Sequence, residues 1–163
     1  MFDTSVINNV VNNYTDFSAI KNARKMGYNY FVTNIQLLEL QGMCFKKGKW
    51  IKKIKYEFTI FEEVLKELNV QEVHRGADFF AHAGKGFPLD GSCYFLDSRG
   101  AEIVKNIEKG NCSKHRKDAL IFESAVRNKL VLITSDIKLY NKAQKEEAEN
   151  VILYDDFIKT LEL

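Results

Sequence analysis

Apolar and polar positions in this chain follow two alternating periods. Leu130-Val131-Leu132-Ile133-Thr134 and Val151-Ile152-Leu153-Tyr154 are short, β-branched-rich runs with the character of strands. Between them, 137–148 has the spacing of a helix, and 118–128 carries Ile121, Phe122, Ala125 and Val126 as the apolar stripe of another. A helix at about 16–26, opened by Asp16 and ended by Gly27, precedes the aromatic strand Tyr28-Asn29-Tyr30-Phe31-Val32-Thr33. Asn34 stands where the N-cap of a helix over IQLLELQGM belongs. Further helices are expected at about 59–68 and 99–109, with a short terminal one from Asp155, and Met1–Asp3 has room for only a very short first strand. Strands that alternate with helices predict an α/β domain with a mainly parallel sheet flanked by helices.

Composition narrows this picture. At 163 residues and 45% apolar content the chain fits a single domain, 1–163, that buries its own core. Pro88 and five of the glycines concentrate in 74–100, which reads as irregular chain. That stretch also holds Phe79, Phe80, Phe87, Tyr94 and Phe95, so it is expected to be packed or to form part of a binding surface. The 24 basic and 22 acidic residues leave a net charge of +2, which excludes a wholly basic nucleic-acid coat and makes any nucleic-acid contact local. No apolar run reaches the ~20 residues of a membrane span, and the opening residues lack the regions of a signal peptide, so a soluble, cytoplasmic protein is expected. Cys44, Cys93 and Cys112 form no CxxC pair, which argues against a disulfide framework.

Position gives some of the acids more meaning than others. Parallel α/β sheets bind ligands at the carboxyl ends of their strands, where Asp3 and Asp136 both fall. Asp118 opens a helix of about eleven residues, roughly 16 Å long, and the strand that follows returns a similar distance, which brings Asp118 back beside Asp136. Glu39 lies on the helix after strand 28–33, flanked by Ile35, Leu38 and Met43, where an unpartnered carboxylate would cost several kcal/mol. Glu123 projects off the apolar stripe and is expected to be a solvated surface acid. Each acid also has a plain structural reading: Asp3 as a turn cap, Asp118 as an acid favoured at a helix N-terminus, Asp136 as the N-cap of helix 137–148. Four carboxylates gathered without counter-charge repel one another, whereas an oxygen-rich cluster suits Mg²⁺ or Mn²⁺.

These segments resemble the PIN-domain family of metal-dependent ribonucleases, including its VapC-like toxins. The matching residues are Met1-Phe2-Asp3-Thr4-Ser5, Phe31-Val32-Thr33 through Leu38-Glu39-Leu40, Lys117-Asp118-Ala119-Leu120-Ile121 with Ala125, and Leu132-Ile133-Thr134-Ser135-Asp136. They fall in family order over residues 1–43 and 115–156, and the region 44–112 carries no family motif. The resemblance implies a three-layer fold with a mainly parallel central sheet, with Asp3, Glu39, Asp118 and Asp136 binding one or two Mg²⁺ or Mn²⁺ ions. Thr134 or Ser135 would support these catalytic acids through hydroxyl hydrogen bonds. It further implies endoribonuclease activity, RNA as substrate, a cognate antitoxin as partner, and a homodimer. The chain departs from the family at Lys138, where many members carry a further acid.

Two basic segments are candidates for RNA contact. Lys46, Lys47, Lys49, Lys52 and Lys53 surround Trp50, and cations beside an aromatic ring suit single-stranded nucleic acid. A solvated hairpin or helix face is the alternative. Lys114, Arg116 and Lys117 crowd the positive end of the helix opened by Asp118, where cations are disfavoured unless an acid cluster or a phosphate backbone faces them; an exposed loop with screened charges is the other reading. Cys112 and His115 form a CxxH fragment without a companion pair, and no Gly-rich phosphate loop is present. Two further classes compete: a non-catalytic RNA-binding or protein-interaction module on the same fold, and a receiver-like signalling domain, whose acidic pair and late lysine are not convincingly placed.

Overall fold

A computed structural model describes residues 1–46, 49–52, 58–77, 93–108 and 115–161; for 43–46, 49–52, 75–77 and 93–95 it describes the backbone alone. The chain is mixed α/β, mostly helical, with short strands. Two helices, α1 (Thr4–Asn12) and α2 (Tyr14–Lys25), precede β1 (Phe31–Val32) and α3 (Asn34–Leu40). A hairpin of β2 (Met43–Lys46) and β3 (Lys49–Lys52) follows, then α4 (Phe58–Glu67), β4 (Gln71–Glu72), β5 (Arg75–Ala77) and β6 (Cys93–Phe95). The chain continues through α5 (Ser98–Glu108), α6 (Arg116–Arg127), β7 (Leu132–Thr134), α7 (Ile137–Glu147), β8 (Val151–Leu153) and α8 (Tyr154–Leu161). Among the described residues, no helix is long and apolar enough to cross a membrane.

The expected parallel pairing is present in β1–β4, β5–β6 and β7–β8, while β2–β3 is antiparallel. The Met1–Asp3 segment makes a parallel bridge from Phe2 to Ile133 of β7, and the Phe2 amide donates to the Phe31 carbonyl of β1 at 2.9 Å. This short segment therefore joins β7 to β1. Asp3 leaves it at its carboxyl end, beside the end of β7.

Successive residues of these strands enter two different apolar clusters, as the two-residue period of a strand dictates. Met1, Leu132 and Val151 pack with Ile103, Ile107, Ile121 and Phe122 of α5 and α6. Their neighbours Phe2 and Ile133 pack instead with Ile7, Ile20 and Phe157 of α1, α2 and α8, and with Leu68 just after α4. A strand buried on both faces has no polar side to show, which explains why β7 reads as an unbroken apolar run.

Several local expectations change. Thr33, not Asn34, caps α3: its side chain and Gln36 form a reciprocal capping box, the T-x-x-Q pattern. The strand expected over 28–33 is reduced to Phe31–Val32, and α2 begins at Tyr14, capped by Asn13. The region 74–100 is not wholly irregular, since β5 and β6 pair within it; 78–92, with Phe79, Phe80, Phe87 and Pro88, lies outside the described residues. Lys46, Lys49, Trp50 and Lys52 lie on the backbone of the β2–β3 hairpin, one of the two expected forms of that run, while Lys47, Lys53, Lys114 and Cys112 fall outside the described residues.

Candidate metal centre

Asp3 stands between the end of its strand and the start of α1, and both of its oxygens are engaged. Oδ1 accepts from the Thr4 amide at 2.8 Å, which makes Asp3 the N-cap of α1. Oδ2 accepts from the Ser5 hydroxyl at 2.7 Å and from the Thr134 hydroxyl at 2.9 Å. Thr134, fully buried at the end of β7, also accepts from the Asp136 amide at 3.0 Å, so a single hydroxyl ties Asp3 to the Asp136 turn. Ser135 plays a different part: its amide donates to Ser5 Oγ at 3.3 Å, and its hydroxyl accepts from Asn9 at 2.9 Å.

The plain structural reading of Asp136 holds as well. Its Oδ1 accepts from the Lys138 and Leu139 amides at 2.7 and 3.1 Å and caps α7. Its Oδ2 accepts no hydrogen bond among the described residues.

Glu39 comes into place through the start of α3. The buried Gln36 amide donates to the Phe2 carbonyl at 2.9 Å, which fastens that helix to the segment carrying Asp3. Glu39, three residues later and so on the same side of the helix, accepts from the Thr4 hydroxyl at 2.6 Å. It also pairs with the Lys117 ammonium. Lys117 precedes Asp118 in α6, so this ion pair draws the Glu39 and Asp118 segments together.

Asp118 is the least comfortable of the four. Burial pushes its carboxyl above the usual range, and the negative charges of Asp3 and then Asp136 push it further; a hydrogen bond from His115 and the charge of Lys117 oppose them. His115 Nδ1 is 3.5 Å from Asp118 Oδ2. Burial also holds the Lys117 ammonium below its ordinary value, against the stabilising charges of Asp118 and Asp3. The four acids named from sequence thus form one electrostatic neighbourhood, with Lys117 as its internal cation.

Among the described residues, no three His, Cys, Asp or Glu side chains are arranged as the ligand set of one ion. The donor chemistry nevertheless suits a hard dication. Asp118 and Asp136 each keep an oxygen without a hydrogen bond among the described residues, and the like charges that raise Asp118 are those an added cation would relieve. Glu39 would become available on release of Lys117.

Three supporting residues escaped the sequence reading: Thr4, Ser5 and Asn9. The clue to the first two was their place directly after Asp3, where side chains fold back on a helix N-cap. Glu123 overturns its expectation. It is 2% exposed and bonds to Arg127 at 3.0 Å. The signal was the i, i+4 spacing of Glu123 and Arg127, which lets the acid lie under its own partner. Arg116, grouped with the RNA-facing cations, bonds to Glu108 at 3.0 Å.

No protein-family model, curated protein or solved structure matches this chain.

Proposed function

We propose that this chain is a metal-dependent endoribonuclease on a three-layer PIN-like fold, with Asp118 and Asp136 as the open acids of its centre and Asp3 and Glu39 completing it. The observation that carries the reading is the convergence of acids from distant segments: the Thr134 hydroxyl ties Asp3 to the Asp136 turn, and Lys117, next to Asp118, pairs with Glu39. The raised Asp118 carboxyl, pushed up first by burial and then by Asp3 and Asp136, is consistent with it. An added dication would relieve that repulsion.

The residues of the centre have definite tasks under this reading. Asp118 and Asp136 would present oxygens to a Mg²⁺ or Mn²⁺ ion, and the Thr134 and Ser5 hydroxyls hold Asp3 in one orientation. Thr4 does the same for Glu39. When bound, the ion supplies an acidified water as nucleophile and positive charge for the phosphodiester transition state. Lys117 keeps Glu39 in place before loading and afterwards offers its ammonium to a phosphate oxygen. The family resemblance extends this reading to a toxin restrained by an antitoxin.

Incubating single-stranded RNA with the protein and Mn²⁺ tests it. Cleavage by the wild type and its loss in Asp118→Asn are expected; equal cleavage by both, or none by either, would overturn the proposal. One observation favours a second reading, a non-catalytic RNA-binding module: Lys117 already neutralises Glu39. A calorimetric titration with Mn²⁺ that shows no binding would favour this module.

A further inference from the structure

A groove of about 600 Å³ runs between α3 and α4, and none of the four acids of the proposed centre lines it. Leu37, Phe58 and Leu65 give it an apolar floor, and all three are only half-buried, so an incoming side chain can reach them. Glu62 and Glu63 stand along its rim, both exposed and both without an ion pair among the described residues. Lys66, at the opposite end of α4 from Phe58, offsets only one of these charges, so the rim stays negative.

The β2–β3 ribbon springs from the same place. Gln41 lines the groove just before β2 begins at Met43, and Phe58 lines it where the chain returns into α4. The register sets Phe45 opposite Trp50 and Lys46 opposite Lys49, and the sequence from Met43 to Tyr56 holds no acid. Beyond its own two strands, the closest packing of the ribbon among the described residues is that of β2 against α3. A two-stranded ribbon is marginal in water unless something covers it. Aromatic residues set among lysines are the complement of an apolar floor with an acidic rim.

We infer that the chain forms a two-fold dimer in which the β2–β3 ribbon of each copy lies in the α3–α4 groove of the other. In a two-fold assembly a contact from one copy's ribbon to its partner's groove is always matched by the reverse contact. Ribbon and groove share their stems, so both contacts fall close to a single axis, and together they bury area that one short ribbon alone would not. RNA is the other chemistry that a lysine-rich ribbon suits, but a phosphate backbone would leave the groove floor uncovered and Glu62 and Glu63 unanswered. The inference does not depend on the nuclease reading.

Sedimentation of the full chain tests it, with charges reversed on each side in turn. The wild type should be a dimer at micromolar concentration, weakened by added salt. Glu62→Lys with Glu63→Lys in one variant, and Lys49→Glu with Lys52→Glu in another, should each weaken it by about a hundredfold or more, because like charges then face each other twice. Mixing the two weakened variants is the sharper step: each contact then brings opposite charges together, so a heterodimer should form where neither variant pairs with itself. Should a reversal fail to fold by circular dichroism, Glu62→Gln with Glu63→Gln removes the same charges and should weaken the dimer by about tenfold. A wild type that stays monomeric, a dimer that no variant weakens, or weakened variants that do not pair on mixing would each overturn the inference. RNA retained through Lys49 and Lys52 by a monomeric wild type would give the ribbon to nucleic acid instead.

Discussion

Asp118 and Glu123 stand five positions apart on α6, and the two acids live under opposite conditions. Glu123 is the more deeply buried, 2% exposed against 29% for the Asp118 side chain, yet it is matched. Arg127 bonds to it at 3.0 Å and reaches Asp97 at 2.9 Å, so one guanidinium serves two carboxylates. Asp97 is held below the usual carboxylate range, first by the Gly100 amide and then by Arg127. Asp118 is pushed the opposite way, by burial first and then by the charges of Asp3 and Asp136. Depth of burial therefore does not by itself set the charge environment of these two acids. What separates them is whether the surrounding charge has been balanced from within the chain.

The comparison can be broken most severely at its balanced end. Arg127→Met should cost about 3–5 kcal/mol in urea unfolding, because it removes the guanidinium that bonds to the buried Glu123 carboxylate. Adding Glu123→Gln should recover a large part of that loss. A double variant no more stable than Arg127→Met would show that the arginine acts through packing instead. Gly100→Ala comes next, at about 1–3 kcal/mol, the usual range for overpacking. A Cβ there would stand 2.7 Å from Glu123 Oε1, an atom that Arg127 prevents from yielding.

The unbalanced end gives smaller effects with more informative signs. Lys117→Gln removes the ammonium that competes for Glu39, so Mn²⁺ affinity measured by calorimetry should rise by about tenfold, close to 1.4 kcal/mol. A fall would mean that Lys117 organises the centre rather than competing for it. Asp118→Asn should stabilise the protein in chelator by about 0.5–1 kcal/mol at neutral pH, since it relieves like-charge repulsion. The sign of its pH dependence follows from the raised folded-state value. Between the ordinary 3.8 and that raised value, the native state holds more protons than the unfolded state, so wild-type stability falls as pH rises through the window. The advantage of Asp118→Asn should therefore appear as pH rises above about 4, level off at higher pH, and vanish in acid. A variant less stable than wild type at every pH would make Asp118 a structural hydrogen-bonding residue.

Much of this arrangement was legible in the sequence where local pattern and tertiary demand agree. The units from α6 to α8 read correctly because strands buried on both faces become unbroken apolar runs and the helices between them keep one stripe. Asp3 and Asp136 were picked out by the carboxyl-end rule for parallel strands, Asp118 by the matching lengths of its helix and the strand that follows, and Glu39 by its apolar flanks on the helix after strand 28–33. The α1 helix was missed because its Asn-rich sequence suggests turns, although Val6, Ile7 and Val10 mark its buried face. Glu123 was misread because helical position was allowed to decide its exposure without its partner four residues on. The Lys117–Glu39 pair joins residues far apart in the chain, and no local pattern announces it.

That pair has a further consequence. A pocket of acids that relied on an incoming ion for neutrality would leave the newly made chain unfinished until the ion arrived. With an ammonium already paired with Glu39, the polypeptide supplies part of that neutralisation itself, and under the proposed reading loading would exchange one positive charge for another. Folding and arming would then be separate events, each open to its own control.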